Sequence, residues 1–147
     1  MIYENLIVLD GSAVNKSEVL KLTGDALYQG GFVKESFTDA CIAREQSFPT
    51  GIEAEIGIAI PHTERNYVNK MGICFLRLQK PVDFQRMDAP EKTVPVQLVF
   101  NLAVNDPQSQ LDCLQKLMGI LSDTEFLNQC KSLPQEEIAP KLYDRIF

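Results

Sequence analysis

Nowhere does the 147-residue chain contain the roughly 20 consecutive apolar residues that a membrane-spanning helix needs. Its opening, MIYENLIVLDG, has neither the basic start nor the small-residue cleavage site of an export signal. The expected location is the cytoplasm. Positive charge is also scarce: 14 Lys and Arg stand against 20 Asp and Glu, a formal net charge of -6. That balance repels nucleic-acid phosphates and anionic lipids, so a general role in binding either is excluded, while a basic protein partner stays compatible. Cys41, Cys74, Cys113 and Cys130 form no Cys-x-x-Cys pair and lie in apolar periodic stretches. They read as reduced core thiols. Internal repeats, low-complexity tracts and Gly/Ser linkers are missing too, so residues 1–147 are expected to form one domain.

What is present is a mixture of two periodicities. After an extended LIVLDG, the segment from Asn15 to Gly30 opens with a cap, Asn15, and an acid three residues on, Glu18. It then places Val19, Leu20, Thr23, Ala26 and Leu27 on one helical face. A second helix is expected over Ser36 to Gln46, with Phe37, Ala40 and Cys41 inward and Arg44 one turn further on. Ile56, Ile58 and Ile60 alternate with Gly57 and Ala59, a strand pattern that Pro61 stops for want of an amide donor. The runs MGICFLRL from Met71 and VQLVFNLAV from Val96 read as central strands. Asp106 and Pro107 then mark a helix start, followed by Leu111, Leu114, Leu117, Met118 and Leu121, and a Ser122 to Glu125 capping box opens a fourth helix. Strands mixed with such helices predict an α/β domain with helices covering a mostly buried sheet.

Only one residue, His62, can change charge near neutral pH through an imidazole. At pH 7 the ring is largely neutral, and one nitrogen keeps a lone pair able to attack phosphorus and form a phosphoramidate. Transfer of that group needs three equatorial oxygens neutralised, which a guanidinium does with paired hydrogen bonds; Arg44 is the candidate. The Pro49-Thr50-Gly51 turn after it folds the chain back toward the strand end, where the Thr50 hydroxyl is a further candidate donor, as are the first amides of the Pro107 helix. By spacing alone, His62 is more often a plain boundary residue, Arg44 serves equally as a helix C-terminal charge, and Thr50 is more often structural.

Family likeness shifts that balance. Ile58-Ala59-Ile60-Pro61-His62 resembles the aliphatic-Ala-aliphatic-Pro-His motif of the fructose/mannitol-type enzyme IIA domains of sugar phosphotransferase systems. Arg44-Glu45 and Phe48-Pro49-Thr50-Gly51-Ile52 resemble the approach to it. The stretch Asn105 to Leu111 and its Leu-rich helix are similar to the galactitol branch, and the likeness spans the whole chain. The resemblance implies a single domain with a mixed central β-sheet flanked by helices on both faces. It implies that His62 accepts a phosphoryl group from the carrier HPr and passes it to a cysteine of the cognate IIB protein, with IIC engaged indirectly through IIB. Arg44 would steady the phosphorylated state, and no metal or diffusible cofactor is implied.

Two positions depart from the family pattern. A second histidine common in the family is absent; Gln110 falls in its place, with Gln108 as the adjacent alternative, and an amide can orient a phosphoryl group but cannot act as a base. Thr63 stands where Gly, Ala or Cys is usual, so that its hydroxyl either contacts phosphate or narrows the pocket. A docking surface for HPr is expected around His62, with Ile60 and the Pro81 to Met87 segment as its apolar centre, although burial is the better reading for Phe84. Glu53, Glu55 and Glu64 read as a solvated rim. The rival readings are a free-standing, phosphorylation-dependent regulatory module of the same fold and a hydrolase or metalloenzyme built on His62. The second lacks both ligand spacing and a paired Ser or Cys nucleophile.

Overall fold

The strands carry apolar residues on both sides because both sides are covered. The computed structural model describes residues 1–147. It contains β1 (Ile2–Tyr3), β2 (Leu6–Gly11), α1 (Lys16–Gln29), α2 (Phe37–Ser47), β3 (Gly51–Ile52), β4 (Gly57–Ala59), β5 (Gly72–Gln85), β6 (Thr93–Ala103), α3 (Pro107–Leu121), α4 (Thr124–Ser132) and α5 (Gln135–Ile146). One six-stranded sheet has the order β1-β2-β5-β6-β4-β3. β2 runs parallel to β5 and β4 to β6, whereas β1–β2, β3–β4 and β5–β6 are antiparallel. The sheet is therefore mixed, as expected.

Alternation sorts the side chains between two cores. Leu6 and Val8 of β2 pack with Leu117, Ile120, Leu127, Ile138 and Leu142 from α3, α4 and α5, while Ile7 between them packs with Leu27 of α1 and with Phe37 and Cys41 of α2. In β4 and its continuation, Ile58 and Ile60 join the first core and Ala59 meets Val19 of α1 on the other face. Phe75 and Phe100, stacked at 4.7 Å between ring centroids, tie the two longest strands together at the first core. No helix is long and apolar enough to cross a membrane.

The expected helix starts hold at two of three places. Asn15 Oδ1 accepts from the Glu18 amide at 3.0 Å, Glu18 Oε2 accepts from the Val14 amide at 2.7 Å, and Asp106 caps α3. The Ser122 to Glu125 box is replaced: Ser122 keeps helical angles (φ -85, ψ -5) as the end of α3, and Asp123, one residue later, accepts from the Phe126 amide at 3.0 Å. Ser122 still closes α3 as its C-cap, whereas a capping side chain at a helix start typically sits on non-helical backbone, which Asp123 has (φ -107, ψ 87). In α3 the buried stripe is Cys113, Leu117 and Ile120, while Leu111 and Met118 of the expected stripe face solvent.

Three features went unread. β1 and β3 are two-residue edge strands with no periodic signal. β5 continues past Leu78 to Gln85, with a register shift between Arg77 and Val82 that accommodates Pro81. α5 carries Pro140 inside it, yet buries Ile138, Ala139, Leu142 and Ile146 along one face. The carbonyl that Pro140 leaves without its helical donor belongs to Glu136, an exposed first-turn residue that water can satisfy. All four cysteines are free and buried, as read; burial pushes the thiols of Cys41, Cys74 and Cys130 up to about 12 and that of Cys113 to about 11.

Candidate active site

The pairing of β4 with β6 outlasts Pro61. The Leu102 amide donates to the Pro61 carbonyl at 2.9 Å and His62 bridges Leu102 in parallel register, so a ring on an apparent loop is held by the sheet. His62 Nδ1 lies 2.9 Å from the Ile60 carbonyl oxygen. A carbonyl only accepts, so Nδ1 carries the proton and Nε2 keeps the lone pair. Burial holds the pKa of the ring below its ordinary value; the Ile60 carbonyl opposes this and the charge of Arg44 adds to it. That depression favours the neutral imidazole at pH 7.

A cavity of about 210 Å³ opens beside it, lined by Arg44, His62, Thr63, Glu64, Arg65, Pro107 and Gln110. Three distant segments therefore meet: the last turn of α2, the strand end with the 3-10 turn Arg65–Tyr67 that follows it, and the first turn of α3. The Arg44 guanidinium lies over the Phe48 ring at 4.8 Å, and its buried Nε has no hydrogen-bond partner. An orphaned buried donor costs free energy unless a ligand satisfies it. Arg44 thus lines the cavity with one buried donor unsatisfied.

Glu45 fixes this arrangement. Only 2% exposed, it accepts from the Thr50 amide at 2.7 Å and from the Thr50 hydroxyl at 2.7 Å. Burial raises its pKa and the two Thr50 bonds oppose that rise. The Thr50 carbonyl in turn accepts from the Ile60 amide at 3.3 Å. A chain of bonds thus runs from the end of α2 through the turn to the residue whose carbonyl orients His62. Gly51 permits the close approach, since a Cβ there would lie 2.6 Å from the Gln85 carbonyl oxygen.

These contacts place each of the other candidate residues. The Thr50 hydroxyl, read as a donor to phosphate, is spent on Glu45, and Thr50 is buried away from the cavity lining. Of the two glutamines, Gln110 lines the cavity, whereas Gln108 turns outward to Asp112 at 3.0 Å. Thr63 is buried and lines the cavity. Two amides of the first turn of α3 are already engaged: the Ser109 amide donates to the Asp106 carboxylate at 2.9 Å and the Gln110 amide to the Asp106 carbonyl at 3.1 Å, and the Ser109 hydroxyl donates to the same carboxylate at 2.6 Å. Of the expected apolar centre, Ile60 is buried at 1% exposure and contributes no exposed surface; Phe84 is buried, as read, and Met87 of the Pro81 to Met87 segment is exposed. Exposed apolar side chains also stand at Phe48, Leu111 and Met118.

Glu53 and Glu55 are exposed, as read for a solvated rim, whereas Glu64, also exposed, lines the cavity. Glu45 stands in the motif with no role given to it, and Arg65 is not anticipated at all. Nothing local signals that Glu45 would be buried, and Arg65 sits past the motif in a turn with no periodicity. No three His, Cys, Asp or Glu side chains stand together in a way that could hold a metal ion.

The family model for the phosphoenolpyruvate-dependent sugar phosphotransferase system, EIIA 2, matches residues 1–140. The galactitol-specific EIIA component of Escherichia coli (strain K12) is 39% identical over 136 residues, 91% of this chain and 90% of that protein. The mannitol-specific phosphotransferase enzyme IIA component of Geobacillus stearothermophilus is 30% identical over 136 residues, 90% of this chain and 88% of that protein. Among solved structures, a complex of enzyme IIAMTL and phosphorylated enzyme IIBMTL from Escherichia coli contains a chain of the same fold. Its TM-score is 0.75 at 22% identity, covering 99% of this chain and 96% of that chain.

Proposed function

The chain belongs to the EIIA 2 family of the phosphoenolpyruvate-dependent sugar phosphotransferase system, whose members carry phosphoryl groups between proteins, and we propose that His62 is where this one carries them. One observation bears most of the weight: the proton of His62 is committed to the Ile60 carbonyl, so the lone pair resides on Nε2 beside a polar cavity with an unsatisfied guanidinium.

In the step proposed, Nε2 attacks the phosphorus of a phosphohistidine on HPr in line with the leaving nitrogen. The new N–P bond forms as the donor's breaks, and the electron pair returns to the donor imidazole. The proton stays on Nδ1, donated to the Ile60 carbonyl throughout, so the developing positive charge on the ring is partly met by that dipole. Arg44 takes up the equatorial oxygens, and Gln110 orients them without exchanging a proton. In the second half, a cysteine thiolate of the cognate IIB protein attacks the same phosphorus and the N–P pair returns to Nε2. IIC is served through IIB, in the cytoplasm. The sugar is galactitol or a close relative, by the identity to the galactitol-specific component.

The test incubates the purified protein with phosphoenolpyruvate, enzyme I and HPr and reads its intact mass, with His62→Gln alongside. A single acid-labile, base-stable adduct absent from the variant is expected, followed by its loss to IIB. No adduct while HPr is phosphorylated refutes the carrier reading. An adduct that forms but does not pass to IIB favours a regulatory module instead.

A further inference from the structure

The chain has five arginines, and their partners divide them. Arg77 pairs with Asp10 at 2.6 Å, Arg86 with Glu53 at 2.9 Å and Asp88 at 2.8 Å, and Arg145 with Asp123 at 3.1 Å. Arg44 and Arg65 have no ion pair, and these two line the His62 cavity. In a protein with an excess of acidic groups, two unpaired guanidiniums on one small cavity call for a reason.

Carboxylates are at hand for Arg65, which makes the missing pair informative. Asp106 is near enough for the charge of Arg65 to help lower its pKa, although the Ser109 hydroxyl and amide contribute more. Its oxygens are taken by that cap, at 2.6 Å and 2.9 Å. Glu64 lines the same cavity and is adjacent in sequence, yet it forms no salt bridge with Arg65. The backbone beneath Arg65 is nonetheless fastened. The Val68 amide donates to the Arg65 carbonyl at 3.0 Å, the Lys34 amide to the Tyr67 carbonyl at 2.9 Å, and Val68 bridges Val33. An exposed arginine is thus presented from an anchored turn.

The charge balance gives it a task. A phosphoryl group on nitrogen brings close to two negative charges at neutral pH. Arg44 alone would be cancelled by Glu64, leaving the cavity with no surplus positive charge to receive them; Arg65 restores one. We propose that Arg65 is a second phosphoryl-binding guanidinium, which closes on an equatorial oxygen opposite Arg44 when His62 is phosphorylated. The proposal rests on the reading of His62 given above. Arg65 forms no covalent bond and gives up no proton; in each transfer the N–P bond made or broken is that of His62 Nε2, and Arg65 holds oxygen charge that is larger in the phosphorylated state than in the free one.

The experiment measures the equilibrium distribution of phosphoryl groups between HPr and the protein for wild type, Arg65→Gln and Arg65→Lys, at low salt and at about 1 M salt, where the Debye length falls to roughly 3 Å. Loss of one charge-assisted hydrogen bond should move the distribution toward HPr by about tenfold or more in Arg65→Gln at both salts. Arg65→Lys should recover part of that, because a point charge cannot reproduce the fork. Unfolding midpoints should match wild type, since the side chain has no partner to lose. A wild type that takes up phosphoryl while Arg65→Gln equals it overturns the role of Arg65 alone. A difference that disappears at high salt overturns it as well, because a distant charge explains it. A wild type that takes up none overturns the reading of His62 and this one together.

Discussion

Replacing Glu45 with alanine removes the acceptor for two buried Thr50 donors, and the two consequences separate by measurement. Each unpaired buried donor costs about 1–3 kcal/mol, offset in part because an ionisable group no longer has to be buried. The net loss for Glu45→Ala should be about 2–3 kcal/mol. Glu45→Gln keeps the volume and one carbonyl acceptor, so its loss should be about 1 kcal/mol. The Thr50 turn also carries the bond to the Ile60 amide, so the alanine variant loosens Arg44 against His62. Misplacement by about 1 Å can slow a transfer by roughly 10²-fold. Urea unfolding gives the first quantity and the initial rate of phosphoryl uptake from HPr the second. The pH dependence adds an internal check. Glu45 has a folded pKa raised by burial, so its contribution to stability is fully present below the unfolded carboxyl pKa and is lost as pH rises through the folded value. The deficit of Glu45→Gln relative to wild type should therefore shrink from pH 4 toward pH 7. Alanine and glutamine variants equal in stability and in rate would refute the bracing role.

Arg44→Ala should leave a folded protein, since the guanidinium's only contact of note is the Phe48 ring, yet slow phosphoryl uptake by about 10² to 10³-fold in a rapid-quench assay; wild-type rates would remove it from the site. Gln110→Ala should cost less than Arg44→Ala in the same assay, and an equal loss would make Gln110 essential. Because the pKa of His62 is lowered, uptake should hold its rate as pH falls through 6.5 and decline only below that, once Nε2 is protonated; a pH-rate profile or a ring NMR titration reads this. The sign for stability follows: a depressed folded pKa contributes stability above the unfolded value that is lost as pH falls through the folded one, so His62→Gln should blunt part of the acid-side decline.

What could be read from the sequence was whatever repeats along the chain. Alternation in β4 and β6 and the 3.6-residue period in α1 and α2 are forced by burial on a sheet face, and both are visible in a few residues. The Asp106–Pro107 helix start is as local, and it carried Gln110 to the cavity at the position expected. The motif residues Ile60, Pro61 and His62 placed the one imidazole of the chain just past a strand end, where the sheet holds it beside the cavity.

Partner state is what local pattern cannot carry. Thr50 and Glu45 are five residues apart, and only the fold reveals that one hydroxyl goes to the carboxylate and not to the cavity. Ser122 and Asp123 compete for one helix start, and the winner depends on whether α3 has already ended. Arg65 lies three residues past His62 in an unpatterned turn, and its interest comes from what it lacks, a carboxylate, while Asp106 nearby is occupied by its own helix cap. On the proposal made for Arg65, the cavity would keep both guanidiniums without an ion pair until a doubly charged group arrives. Such vacancy is a property of the assembled charges, and it becomes visible only when every other arginine has been assigned its partner.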